Sequence, residues 1–327
     1  MFDVVAFGEI LIDFGSVGNS DGYPILAARP GGAPGNFLAT LASCDKKTAI
    51  IAKVGNDAFG KLLKDSLDEY EIDTHNVVLD NDYFTTLAFV TLDSNGERSF
   101  SFARKPGADT KMRFDEVDLN LIDNTKIFHF GTLSMSDDPS KTTTQKLVEY
   151  AKEKEKLISF DPNLREPLWK DLNEAKEAII YGLKYADIVK ISLEEGQFIF
   201  DEKITAENCA KEIIDKYNVR MVFVTCGKDG VFAKTSKVQG QFKALENVKT
   251  IDSTGAGDIF FGGAINAFLN LDKSIEKLDN NDLQDICVFA NAAAGLSLSE
   301  KGGMSSVPSM EEILKVVKIL SKEEAFN

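Results

Sequence analysis

Short runs of apolar, largely β-branched residues recur along this chain with helix-period sequence between several of them. That alternation limits the fold more than any other feature. The runs are residues 4–8 (VVAFG), 48–54 (TAIIAKV), 126–131 (KIFHFG), 157–161 (LISFD), 187–192 (DIVKIS) and 221–226 (MVFVTC). Amphipathic stretches lie between them, such as 57–70 (DAFGKLLKDSLDEY) and 142–156 (TTTQKLVEYAKEKEK). Strand runs separated by helical segments predict βαβ units, hence a mainly parallel central sheet with helices on both faces. Two more helices are predicted near the end, one after Gly257 and one around 282–298.

One region breaks the alternation. Residues 83–104 read as two alternating strands around the turn sequence DSNG, an antiparallel hairpin. Residues 14–30 are non-helical and rich in Gly and Pro. These segments, about 14–30 and 83–106, are read as a small β-sheet lid; an edge extension of the main sheet is the alternative. No linker marks a second unit, so residues 1–327 read as a single α/β domain.

Composition removes several functions. The formal charge of −15 argues against a general nucleic-acid binder. It leaves room for a phosphate ligand in a locally positive site. Four cysteines without a CxxC pair point to a reduced, cytoplasmic compartment. Two histidines make a zinc site or a Ser-His-Asp triad hard to assemble. The N-terminus carries acids and no basic start, so it reads as a strand rather than a signal peptide, and no apolar run reaches membrane-span length.

Chemistry concentrates in six motifs. In DSTGAGDIFFGG (252–263), Gly255, Ala256 and Gly257 lead into Asp258 at a helix start. Unpaired N–H groups and the helix dipole make such a turn an anion site. A carboxylate beside a bound phosphate suits removal of a proton from an attacking hydroxyl; an Asp capping a buried helix is the plainer reading. The P-loop and GxGxxG patterns are both absent from this stretch. In PGGAPGN (30–36), Asn36 is placed to meet a polyol, unless it is merely a solvated loop residue. Asp13 in GEILID follows a strand, where ligands of open α/β sheets bind, and reads equally as a surface acid. FDPNLR (160–165) offers Asn163 and Arg165 in the same layer, the latter suited to phosphate or to a nearby acid. In KISLEE (190–195), Lys190 suits phosphate and Glu195 suits magnesium through water, or the acids simply favour a helix start. VTCGKDG (224–230) suits a nucleotide or a plain hairpin.

Taken together, GGAPGN (31–36) and DSTGAGD (252–258) resemble the ribokinase-like carbohydrate kinases, and the resemblance covers nearly the whole chain. GGAPGN with SFARKPGAD (101–109) is most similar to the fructokinase branch. The resemblance implies ATP as donor, Mg²⁺, and an aspartate base under a small β lid. It makes Asp258 the base, with 255–257 as anion hole. Asp13, Gly31, Gly32 and Asn36 would hold the sugar, and Arg104 and Arg165 would contact sugar or phosphate. Lys190, Thr225, Gly227, Gly230 and Asn291 would flank the nucleotide. It also implies K⁺ held by Asp252, Thr254, Gly302 and Ser306; separately, the strand edges of the 83–104 hairpin need covering, which makes a homodimer through the lid the expected partner contact. Ser192 departs from the family's N-x-x-E pattern, which bears on Glu195 as a magnesium-water residue. The expected activity is ATP-dependent phosphorylation of a hexose, fructose foremost. The rivals are a kinase for 2-keto-3-deoxygluconate, a nucleoside or another sugar, and a sugar-binding regulator without turnover.

Overall fold

The computed structural model describes residues 1–92 and 98–324. Its strands are β1 (Phe2–Phe7), β2 (Leu11–Ser20), β3 (Tyr23–Gly31), β4 (Thr48–Gly55), β5 (Val77–Asp80), β6 (Leu87–Leu92), β7 (Arg98–Ala103), β8 (Thr125–Gly131), β9 (Leu157–Asp161), β10 (Ile188–Ser192), β11 (Met221–Thr225), β12 (Val231–Thr235) and β13 (Gln239–Phe242). The large sheet runs β13-β12-β11-β10-β9-β8-β1-β4-β5. Its pairings from β11 through β5 are parallel, and β12 and β13 close one edge antiparallel. Each strand run read from the sequence appears here within about two residues. Residues 221–235 form the antiparallel pair β11–β12, with Thr225 and Gly227 at the end of β11.

Both faces of the central strands β1, β4 and β8 to β11 are largely buried, which is why those runs read as continuously apolar. Along β1, Val4 and Ala6 join one core and Val5 and Phe7 the other. The first core contains Phe37 and Leu38 of helix Ala33–Ala42 and Phe261 of helix Ala256–Asn270. The second contains Leu147, Ile179 and Ile213 from helices Ser140–Glu153, Leu172–Tyr185 and Ala206–Tyr217.

Helix Ala256–Asn270 lies against Ala33–Ala42 at very close range. A Cβ on Gly262 would stand 2.7 Å from Thr40 Cβ and 2.8 Å from the Phe37 carbonyl oxygen. The paired glycines of DIFFGG therefore serve helix packing, and through it they set where the start of this helix meets Asn36.

The smaller sheet has the order β3-β2-β6-β7 and is separate from the large one, so the edge-extension alternative fails. Residues 14–30, read only as non-helical, belong to a long hairpin. Ser20 pairs with Tyr23 across Asp21 and Gly22, whose φ values are 52° and 84°. A two-residue Asp-Gly turn with both residues left-handed matches the twist of antiparallel strands. β6 then adds parallel to β2, and β7 antiparallel to β6. The DSNG turn at 93–96 lies outside the described residues.

Candidate active site

Strand ends of the parallel sheet supply most of the site, as expected for an open α/β sheet. Asn163 and Arg165 follow β9, Glu195 follows β10, and Thr225 and Gly227 stand at the end of β11. Above them sits the start of helix Ala256–Asn270. Gly255, its cap residue, has φ 77° and no side chain caps the helix. A Cβ there would lie 2.9 Å from Asn36 Nδ2 and 2.9 Å from Gly303 Cα. A Cβ on Gly257 would lie 2.9 Å from Lys190 Nζ. The small residues of TGAGD thus let an ammonium and an amide approach the helix N-terminus directly.

Lys190 is buried, with Nζ 3.1 and 3.0 Å from the two carboxylate oxygens of Asp161. Burial alone would lower its pKa, but Asp161, Glu195 and Asp258 outweigh that and raise it. The group therefore stays a cation beside the anion-binding turn. Asp161 was missing from the sequence-based site. It is the first residue of the DPNLR stretch, and nothing local signals that a lysine from the next strand reaches it.

Asp258 is 6% exposed and stands on the first turn of its helix. Asn36 Nδ2 donates to its Oδ2 at 2.8 Å, and Asn163 Nδ2 to its Oδ1 at 3.3 Å. Burial raises its pKa, with Lys190, the Asn36 hydrogen bond and Arg165 pulling the other way. The carboxylate is oriented by two amides and made more basic than a surface acid.

Two clefts meet at this carboxylate. One, of about 310 Å³, is lined by Glu9, Asp13, Gly32, Asn36 and Phe102 and lies partly under the smaller sheet. The other, of about 440 Å³, is lined by Lys190, Glu195, Thr225, Gly227 and Gly257. Asn163, Arg165, Ser253, Gly255 and Asp258 line both. In the first cleft burial pushes Asp13 up to about 6, with Arg165 lowering it and Asp258 and Asp252 raising it. Burial likewise pushes Glu9 up to about 7. Glu9, unremarked within GEILID, accepts from Ala33 N at 3.3 Å. Gly31 supports this wall indirectly, since any side chain there would run into the Asp13 carboxylate. Gly32, at φ 104°, packs its backbone on that of Glu9.

Several expected site residues are held by other protein groups in this structure. Arg104 is not among the residues lining either cleft. Its guanidinium binds Asp109, Ser136 Oγ and the Leu133 carbonyl inside the protein. Glu195 forms a capping box: its oxygens accept from Leu164 N at 2.7 Å and Ser192 N at 2.8 Å, and Ser192 Oγ accepts from Glu195 N. The serine replacing asparagine in this motif is therefore a helix cap. Gly230, at φ 88°, gives room for the Phe242 carbonyl rather than lining the cleft. Asn291 donates to the Lys243 carbonyl at 2.8 Å and lines neither cleft. Asp252 accepts from Thr254 N at 2.9 Å and from Gly302 N at 3.1 Å, and Ser306 Oγ donates to the Gly303 carbonyl at 2.9 Å. The Gly302 amide thereby ties the 302–306 loop to the turn.

A parallel α/β sheet with an uncapped helix N-terminus, a buried cation and a basic carboxylate between two clefts defines a group-transfer enzyme for anionic donors. The comparisons agree with that class. The family model described as pfkB family carbohydrate kinase matches residues 1–310, and the chain belongs to this family. A probable fructokinase-2 of Arabidopsis thaliana is 36% identical over 320 residues, covering 97% of this chain and 96% of that protein. The structure of Xylella fastidiosa fructokinase with bound ATP superposes with a TM-score of 0.89 at 28% identity, covering 98% of this chain and 100% of that one. A double mutant of Vibrio cholerae fructokinase, bound to fructose, ADP and potassium ion, gives 0.84 at 28% identity, with 97% and 98% covered. Among the described residues no helix is long and apolar enough to cross a membrane.

Replacing Gly255 by alanine tests the turn. Its left-handed φ and the 2.9 Å contacts predict a destabilisation of about 1–3 kcal/mol and a fall in turnover from displacing Asn36. Urea unfolding and steady-state rates check both; a variant of wild-type stability and rate contradicts the packing described for this turn.

Proposed function

We propose that this carbohydrate kinase transfers the γ-phosphoryl group of ATP to a primary hydroxyl of fructose. The observation that carries the reading is the meeting of two clefts at a buried carboxylate beside an uncapped helix N-terminus. The sugar occupies the smaller cleft, hydrogen-bonded by Asp13 and Asn36 over the Gly31–Gly32 backbone. Arg165, shared by both clefts, meets the transferring phosphoryl group. ATP occupies the other, between Lys190, Thr225 and Gly227. Asp258 takes the hydroxyl proton as the sugar oxygen bonds to phosphorus and the bond to the ADP oxygen breaks. The 255–257 turn and Lys190 stabilise charge on the phosphoryl oxygens. The smaller sheet acts as a lid that keeps water from the phosphoryl group.

The charge of the sugar cleft favours a neutral acceptor. Glu9, Asp13 and Asp258 face it with Arg165 as the lining cation, while Arg104 is already matched by Asp109. A sugar acid such as 2-keto-3-deoxygluconate would find Arg165 as the lining cation there, the same group the transferring phosphoryl needs. Among the described residues no cluster of three or more acids, histidines or cysteines suits a resident metal. That fits Mg²⁺ arriving on the nucleotide phosphates, with Glu195 near it through water; the ion would neutralise phosphate charge. The four unpaired cysteines support a reduced, cytoplasmic setting. Exposed Val17, Tyr23, Ile25 and Leu26 on the lid support pairing of two copies there.

Asp258→Asn should lower kcat by on the order of 10² to 10⁴ while ATP still binds. In the wild type, kcat should fall with decreasing pH through a midpoint above the usual carboxylate range, because the raised pKa of Asp258 means it is protonated sooner on acidification. A folded Asn variant within a few-fold of wild type would remove Asp258 from the role of base.

A monovalent cation behind the turn completes the proposal, held by Asp252, Thr254, Gly302 and Ser306. The reading rests on the family resemblance and on the carboxylate standing between the turn and the 302–306 loop, where its oxygens now accept from Thr254 N and Gly302 N. At fixed ionic strength K⁺ should raise kcat over Na⁺, and Asp252→Ala should erase the difference. Equal rates in the two salts would leave the turn held by protein alone.

A further inference from the structure

Arg104 and Asp109 form a buried ion pair that the phosphoryl-transfer scheme does not use. Their side chains are 4% and 3% exposed. Arg104 Nε lies 2.8 Å and Nη2 2.6 Å from Asp109 Oδ2. The remaining guanidinium contacts are to Ser136 Oγ at 2.7 Å and the Leu133 carbonyl at 2.9 Å. Asp109 Oδ1 accepts from Thr86 Oγ1 at 2.5 Å. The Thr86 carbonyl in turn accepts from Ile12 N at 3.1 Å.

These contacts share one location in the fold. Ile12 lies near the start of β2, Thr86 just before β6, and Arg104 just after β7. They are three places where the smaller sheet leaves the main body. Leu133 and Ser136 belong to the turn after β8, and Leu133 lines the sugar cleft. Asp13, next to Ile12, and Phe102, two residues before Arg104, line the same cleft. The planar fork of arginine fixes direction as well as distance, and a single lost partner leaves a buried charge uncompensated.

We propose that the Arg104–Asp109 pair is a positioning device that locks three roots of the smaller sheet to the Leu133–Ser136 turn and so sets how the lid covers the sugar. This rests on the reading of that sheet as a lid. Neither residue lines the two clefts; the pair acts through Asp13, Phe102 and Leu133.

The test uses Asp109→Asn and Arg104→Lys, with Ser136→Ala as a milder variant that removes one arm. Amide exchange by mass spectrometry is followed in β2, β3, β6 and β7 against the parallel strands, without ligand. ADP and sugar phosphate are then measured in the same reaction. In the first two variants exchange should rise in the smaller sheet and stay unchanged in β8 to β11. The KM for sugar should rise about tenfold with that for ATP little changed. The ratio of ADP to sugar phosphate should climb above one, since a misplaced lid admits water to the phosphoryl group. Unchanged exchange in the smaller sheet, or a rise shared equally by the parallel strands, would overturn the lock. Should both charged-pair variants fail to fold, Ser136→Ala decides by the same two exchange outcomes. Should the wild-type enzyme phosphorylate no sugar, the functional reading fails while exchange still decides the lock.

Discussion

The uncapped N-terminus of helix Ala256–Asn270 is the feature on which the site depends. A helix start leaves donors without intrahelical partners, and burying them requires an acceptor. Here Gly255 turns the chain into the helix with no side-chain cap, leaving the approach to anions open. The arrangement is then held from three sides. Helix Ala33–Ala42 packs against Gly262 and brings Asn36 to Asp258, β10 brings Lys190 to Gly257, and the 302–306 loop supports Gly255. Shifting any of these moves the carboxylate and the anion turn together.

Electrostatics explains how an acidic protein handles a phosphate donor. The charge of −15 is spread over the chain, while Lys190 and Arg165 line the cleft assigned to the nucleotide. Lys190 keeps its proton because three carboxylates surround it. The sugar side has Glu9, Asp13 and Asp258 on its walls and Arg165 as its lining cation, with Arg104 held away by Asp109; the nucleotide side carries acids too, Glu166, Glu194 and Glu195, but adds the Lys190 ammonium at the anion turn. Each cleft thereby suits a different partner, and the boundary between them is Asp258.

Much of this was legible in the sequence, for identifiable reasons. Parallel strands buried on both faces announce themselves as apolar runs, and glycines before an aspartate announce an anion turn. β5 escaped because its four residues, VVLD, are too few to show a period. The hairpin of β2 and β3 was hidden by its glycines and prolines, although Asp21-Gly22 carried the turn signal. Arg104, expected to meet sugar or phosphate, lines neither cleft here and is paired inside the protein. Its neutralisation by Asp109, five residues on, depends on a turn geometry that spacing does not reveal. Glu195 shows the reverse, since S-x-x-E is a capping-box pattern and could have been recognised as one. Asp161 and Glu9 were missed because their importance comes from partners on other strands.

The central claim, an ATP-dependent kinase whose acid-lined cleft selects a neutral hexose, is tested most directly by an acceptor panel. ADP formation is followed with fructose, other neutral sugars, 2-keto-3-deoxygluconate and a nucleoside, each at equal concentration with Mg²⁺ and ATP. Fructose should give the highest kcat/KM, and the sugar acid should fall well below it. A higher kcat/KM for the acid, or no acceptor-dependent ADP at all, would contradict the claim.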